Sequence, residues 1–557
     1  MTGTKFWVSK AMLAGMLLGL AACGGGGSNS STPAPPTPPA PPPTPPPPPP
    51  PSLDPEYKAS ANTPFVAGCE GAAIGGTRYA NAEVEPHFAI DPSNPDRFFG
   101  AWQQDRWSSG GASGTIVGVS NDGGQTWVRS APAFSRCAGG TPANGGDYER
   151  SSDPWVAVAP DGTAYAIVIA FNGAALASGS VTSVLVSRST DSGQTWGAPT
   201  TLVREFNDVF HDKEAMTADP TDSRFVYAIW DRISVANFGP TWFARTVDGG
   251  QSWEAARPIF DPGQNNQTIG NLISVLPNGT LLNIYTRIDA APNGGSTAYL
   301  DVIRSTDKGA SWSTSTRIAS QLTVGTVDPE TGLRVRDGGL VPSAAVAPNG
   351  DVYVVWQDSR FSNGLRDGIA ISRSEDGGLS WTAPARVNSD SAVSAFLPAI
   401  TVREDGKVGV TYYDFRSNTS DNSTLLTSIW LTQSDDGLNW SENQVAGPFD
   451  LSEAPLAAWG PTTGYFLGDY QGLASSGSVF VPFYSRSGTG GNTNRTDIFA
   501  APAVSASSSV SVALKHTAAV AAAVVVTPEY QHRIADNIEK IMKIRVPGKK
   551  EGSGRVD

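Results

Sequence analysis

The chain has 557 residues, a formal net charge of -13, and only 16% charged residues beside Gly 60 and Pro 43. That composition excludes a helical bundle, a coiled coil or a charge-rich disordered chain for the bulk of the molecule. The negative charge excludes a polyanionic partner, so no nucleic acid is expected. The length allows three or four domains or one large all-β fold, and 15 Trp indicate a packed globule.

Residues 1–22 read as an address. Lys5 and Lys10 flank the start of an apolar run, Ala11 to Leu20, that is too short to span a bilayer, and Leu20-Ala21-Ala22-Cys23 follows. This resembles a bacterial lipoprotein signal with its lipobox. The resemblance implies cleavage before Cys23, lipidation of Cys23, and a place in the bacterial cell envelope, at the outer membrane or cell surface, with membrane contact through the lipid anchor only. Residues 23–56 then form a linker, Gly/Ser-rich to Ser31 and nearly all proline from Pro33 to Pro51. Such a stretch cannot bury a core and favours polyproline II. At ~3.1 Å per residue it makes a stalk of roughly 60 Å.

Two further cysteines, Cys69 and Cys137, predict one disulfide in an exported protein, closing a long loop. From there to residue 505 the chain is repetitive. SNDGGQTW ends at Trp127, STDSGQTW at Trp196, TVDGGQSW at Trp253, STDKGASW at Trp312, SEDGGLSW at Trp381 and SDDGLNW at Trp440. Ahead of each box a turn and a short apolar strand recur, as in DGTAYAIVIAFNG and NGDVYVVWQDSR, then a third strand such as SVLVSRS or GIAISRS. With the strand after each Trp, this spacing predicts four-stranded blades of a β-propeller over residues 57–505.

The pattern Ser/Thr-x-Asp-x-Gly-x-Ser/Thr-Trp resembles the Asp box, or BNR repeat, of the sialidase superfamily. The aspartates suit a turn that their carboxylates brace, so Asp122, Asp191, Asp248, Asp307, Asp376 and Asp436 are read as structural. After the last box, GYFLGDYQGLAS, SVFVPFYSRS and DIFAAPAV supply three strands without a box. Seven blades are preferred, the last completed by a strand from the segment Tyr57 to Val66; the six-bladed sialidase-like ring is the alternative.

Propeller geometry puts the boxes on the bottom face. The starts of the inner strands and the ends of the second strands lie on top, where Glu85, His87, Asp153, Asp212, Lys213, Glu214, Asp469 and Tyr470 meet a series of Asp and Arg pairs. Carboxylates near arginines can serve acid/base work on glycosidic bonds, and arginines can clamp an anionic sugar. The bland alternative is that each pair braces a loop.

The sialidase resemblance implies three arginines for the substrate carboxylate, a Tyr and Glu nucleophile pair and an Asp acid/base. Where the family's first arginine stands, this chain reads Glu85-Pro86-His87-Phe88, and where the acid/base stands, SSGGASG has no carboxylate. Tyr484-Ser485 resembles the nucleophile site, with Tyr470 competing. The candidate catalytic residues are Tyr484, Tyr470, Glu214 and Asp105. The candidate substrate-binding residues are Arg106, Arg232, Arg287, Arg416, Arg486, His87 and Asp469.

His87, His211, His516 and His532 have no spacing that builds a metal site, and no cofactor is expected. Residues 506–557 form a tail in which Thr527 and Pro528 open a helix with Ile534, Ile538, Ile541 and Met542 on one face. Three functions fit: a glycan-recognising or glycan-hydrolysing lipoprotein propeller, a true exo-α-sialidase, or a non-catalytic adhesion or assembly scaffold. A monomer is expected, with a glycan or glycoconjugate as partner and a protein partner left open.

Overall fold

A computed structural model describes residues 55–71, 75–236, 239–291, 295–459, 462–488, 495–502, 514–520 and 524–545. The signal peptide, the lipidated Cys23 and the proline-rich linker lie outside the described residues.

The fold is all-β. The first four-stranded antiparallel unit comprises Glu83–Asp91, Asn94–Arg106, Ala112–Ser120 and Val128–Ser130, and comparable units begin at Arg150, Val209, Gln267, Ser343 and Ala395. Gly472–Ser476, Val479–Ser487 and Thr496–Ala500 make three strands of a last unit, and Tyr57–Lys58 adds the fourth by pairing with Ala500 and Phe499. The described residues thus hold seven such units. Their first strands pack each on the next, and that of the last packs against that of the first, so the row closes on itself as a β-propeller. Closure leaves the outermost strand of a unit, such as Thr200–Phe206, paired on one side only. Middle strands are buried on both faces because neighbouring units cover both, as in Ala164–Asn172. That is why AYAIVIAFN reads as an unbroken apolar run.

The disulfide between Cys69 and Cys137 forms across 68 positions, with a Cα–Cα distance of 4.9 Å. In the chain-entropy account a loop of that size stabilises by about 4 kcal/mol.

The boxes fold as their chemistry predicts. In the third, Asp248 Oδ1 accepts the Ser252 N–H at 2.9 Å and the Thr246 hydroxyl at 2.7 Å, while Oδ2 accepts the Ser252 hydroxyl at 2.6 Å. The hydrogen bond from the partner hydroxyl, then that from the backbone, draws the carboxyls of Asp191, Asp248, Asp307 and Asp376 down to about 2. Each box also wedges against the preceding unit. A Cβ on Gly309 would meet the Phe243 ring at 2.7 Å, and one on Gly193 would meet Val119 at 2.7 Å. Phe98 pairs with Ser120 beside the first box, whereas Arg106 pairs with Ala112, so the box and Arg106 occupy opposite ends of one sheet.

At that opposite end the inner strands bulge. Register shifts interrupt the pairing around Glu85, Asp153, Lys213, Gly270 and Leu397, with φ of 53°, 53°, 51°, 67° and 56°. A left-handed conformation at a non-glycine residue is strained, and bulges re-aim side chains. Here the repeated bulge carries charge on three consecutive units.

Helix α1 (Pro528–Arg545) is capped by Thr527, whose hydroxyl accepts the Tyr530 N–H at 3.2 Å. Tyr530, Ile534, Ile538 and Ile541 are buried in one cluster with Ile269 and Leu340, so the helix docks on the propeller itself.

Candidate functional site

Two cavities adjoin where the inner strands bulge. A channel of about 330 Å³ is lined by residues of all seven inner segments, from His87 and Trp155 round to Pro398 and Tyr470. A larger funnel of about 610 Å³ is lined by Arg106, Asp153, Asp212, Lys213, Arg336 and Asp469, with apolar walls. Asp469 borders both.

A cluster of ion pairs separates the two. Lys213 Nζ lies 2.7 Å from Asp469, 3.0 Å from Asp153 and 3.4 Å from Glu85. Arg336 grips the same Asp469 with two nitrogens, at 2.6 and 3.1 Å. Burial pulls the Lys213 ammonium down, but Asp153, Asp469 and Glu85 outweigh it and hold its pKa well above the ordinary value. Burial would raise Asp469, yet Arg336 and Lys213 keep it well below the usual carboxylate range. Glu85 goes the other way: burial, helped by Asp153 and Asp469 and opposed by Lys213, pushes it up to about 8.

Arg106 completes the floor. Its Nη1 donates to Gln103 Oε1 at 2.7 Å, its Nε has no hydrogen-bond partner, and its guanidinium lies 4.6 Å from the Phe466 ring, against which Arg336 also packs at 4.8 Å. Burial, with Arg336 nearby, lowers Arg106 to about 10.

Four of the candidates reach these cavities: Arg106 and Asp469 in the funnel, and His87, Tyr470 and again Asp469 in the channel. His87 stacks on Trp155 at 3.6 Å and accepts the Val156 N–H at 3.2 Å, and burial drops it to about 3, which leaves a neutral ring. The Tyr470 hydroxyl donates to the Pro154 carbonyl at 3.0 Å.

The remaining candidates line neither cavity. Tyr484 is fully buried in its unit and donates to Glu56 Oε2 at 2.7 Å, and burial followed by the Glu56 charge holds the phenol protonated. Arg486 pairs with the same Glu56. The nucleophile expected at Tyr484 is therefore a core residue locked by the closing strand. Asp105 accepts from Asn81 N–H at 2.7 Å and the Thr63 hydroxyl at 2.6 Å, besides pairing Arg78, and acts as a loop brace. Arg232 pairs Glu205 at 2.6 Å, Arg287 pairs Asp289 at 2.7 Å, and Arg416 is held by Asp414 at 2.6 Å and Glu442 at 2.7 Å. No three-arginine clamp forms from them. Glu214 is buried with both carboxyl oxygens unpartnered, and burial raises it well above the ordinary value.

Sequence reasoning missed Arg336. It stands in Arg334–Arg336, part of a long connection that pairs in parallel with Thr462–Phe466 outside the repeats. Its one signal was the alternation of two arginines about the buried Val335. Cys69, Glu70 and Cys137 lie together, and the two sulfurs are bonded to each other.

A family model described as BNR repeat-like domain matches residues 240–448. No curated protein matches the chain. Solved structures to which it is similar include an α-L-arabinanase of Penicillium chrysogenum with arabinobiose, at 14% identity, covering 65% of this chain and 94% of that one, TM-score 0.42. A Hadza microbial sialidase follows at 15% identity, 73% and 74% coverage and TM-score 0.41. A NanB sialidase of Streptococcus pneumoniae matches at 9% identity, 80% and 98% coverage and TM-score 0.40. With its boxes each bracing a turn between strands of one closed ring, this chain folds as a β-propeller, and its residues 240–448 match the BNR repeat-like domain.

Proposed function

We propose that the protein is a sialidase-like propeller, anchored to the bacterial envelope through Cys23, that recognises a glycan in the funnel without releasing sialic acid. The observation that carries this is the make-up of one cavity of about 610 Å³, where the forked donors Arg106 and Arg336, the acceptors Asp153, Asp212 and Asp469, and apolar walls converge. Sugars present rows of hydroxyls alternating with C–H faces, which such a mixture can meet. Against hydrolysis stands the position of Tyr484. Glu85, whose raised pKa suits an acid, lines neither cavity.

Retention of the full-length protein on a glycan array, without turnover of a fluorogenic sialoside, is expected. Arg106→Ala and Arg336→Ala should lose retention. Turnover abolished by Tyr484→Phe would overturn the reading in favour of a sialidase, and silence in both assays would leave the adhesion or assembly scaffold.

A further inference from the structure

The funnel has two chemistries on opposite sides. Its floor is the charged cluster of Lys213, Asp469, Arg336 and Arg106. Its walls carry hydrocarbon from Ile169 and Phe171 of the second unit, Leu176 of the loop after it, Phe210 of the third, Leu340 of the connection ahead of the fifth, and Ile541 of α1, which also brings Lys543 to the lining. Floor and wall draw on some of the same elements, Phe210 with Lys213 on one strand and Leu340 with Arg336 on one connection, so the segregation belongs to the cavity as a whole.

Helix α1 completes the apolar side. Its buried face joins Ile269 and Leu340 on one flank through Ile538 and Ile541, while Met542 packs against Ile233, as do Phe210 and Leu176, on the other. The last turns of the helix therefore bridge the two flanks of the funnel. Tyr530 shares a hydrogen bond with Ser359 at 2.9 Å, and Arg533 Nε donates to the Gly364 carbonyl at 2.8 Å, which fixes the start of the helix on the ring.

A bare hydrophilic sugar would leave that wall in water. The cavity's volume, about 610 Å³, falls within the ~300–1,000 Å³ range of small-molecule sites and leaves room for more than one sugar ring. Resting on the glycan reading above, we infer that the funnel takes an amphiphilic glycoconjugate. Its sugar meets the charged floor, and its apolar aglycone, an alkyl or acyl chain, lies along Phe171, Leu176, Phe210 and Ile541 beneath α1. The sugar end is placed by charge: Arg336 and Asp212, both partly exposed, line that end of the funnel and meet ligand hydroxyls there. The helix then acts as a specificity-determining wall.

The test is calorimetric titration of the full-length chain with methyl, hexyl and octyl glycosides of glucose, galactose, mannose and N-acetylglucosamine, below their micelle concentrations, beside 1-octanol. Each buried methylene strengthens binding about fourfold. The octyl member of the series that binds should therefore exceed its methyl partner at least about a hundredfold. Leu176→Ala should cut the ratio of octyl- to methyl-glycoside affinity severalfold, and that ratio is the readout. Ile541→Ala should do the same, and Leu176→Ala keeps the test valid where the change at the buried Ile541 loosens the helix. Methyl and octyl members that bind equally would overturn the inference and leave the glycan reading standing. Equal affinity for 1-octanol and the octyl glycoside, or no binding by any of them, would overturn both.

Discussion

Lys213 and Asp469 stand 256 positions apart in the chain and meet at 2.7 Å, where funnel and channel adjoin. One comes from the third unit and the other from the turn that leads into the seventh. Their contact therefore forms only when the ring is complete, and it joins global closure to local charge. Removing one partner of a buried cluster strands the others without compensation.

Lys213→Met should on that account lower unfolding stability by about 3–5 kcal/mol, since Glu85, Asp153 and Asp469 lose their shared cation. Lys213→Arg should recover part of it. Urea unfolding followed by tryptophan fluorescence measures both, and a loss below about 1 kcal/mol would show that the cluster relaxes or takes in water.

Glu85 supplies a pH signature. Its folded pKa, about 8, lies above the ordinary 4.5. A carboxyl raised in the folded state favours folding below its unfolded pKa, and that contribution is lost as pH rises through the folded one. Stability relative to Glu85→Gln should therefore decline between pH 4.5 and 8 and then level off. Urea midpoints of the two proteins across that window read the difference directly, and parallel curves would contradict it.

Tyr484→Phe should cost about 1.5–3 kcal/mol, the worth of one hydrogen bond to the charged Glu56, and leave glycan retention untouched. Array binding and thermal melting on the same preparation separate the two effects. A loss of retention would place Tyr484 in the site after all.

Glycines of the boxes differ by position, and the difference is measurable. Gly123, at φ 71°, has nothing within 4 Å of an added Cβ, whereas Gly309, at φ 86°, would drive one to 2.7 Å from Phe243. Gly123→Ala should cost only the backbone term, about 1 kcal/mol. Gly309→Ala should cost about 1–3 kcal/mol more, because the neighbouring unit must shift. Similar costs would mean that the boxes do not act as spacers between units.

Replacing Cys69 and Cys137 by Ser should lower stability by about 2–4 kcal/mol without altering retention, because the bridge lies away from both cavities. Melting under oxidising and reducing conditions gives the same comparison in the unmodified chain.

What the sequence disclosed follows physical range. The boxes were legible because Asp248 and its equivalents satisfy a turn within a few residues of themselves. Glu85, Asp153, Lys213 and Asp469 were placed at the top because the repeat fixes where each inner strand begins. The choice among arginines was not legible. Arg232, Arg287 and Arg416 sit at repeating positions and are neutralised locally, whereas Arg336 reaches Asp469 from a non-repeating connection. Tyr484 misled for a related reason: its partner, Glu56, comes from 428 positions away and arrives only with the closing strand.

The clasp formed by Tyr57 and Lys58 against Phe499 and Ala500 has a mechanical consequence. Tension applied at residue 55 would first load those few hydrogen bonds and the Lys58 to Asp497 contact of 2.7 Å. A dozen residues further on it would reach Cys69, whose covalent bond to Cys137 passes the pull straight into the first sheet. Under reducing conditions that safeguard vanishes, and a pull at residue 55 should unzip the toroid from its seam.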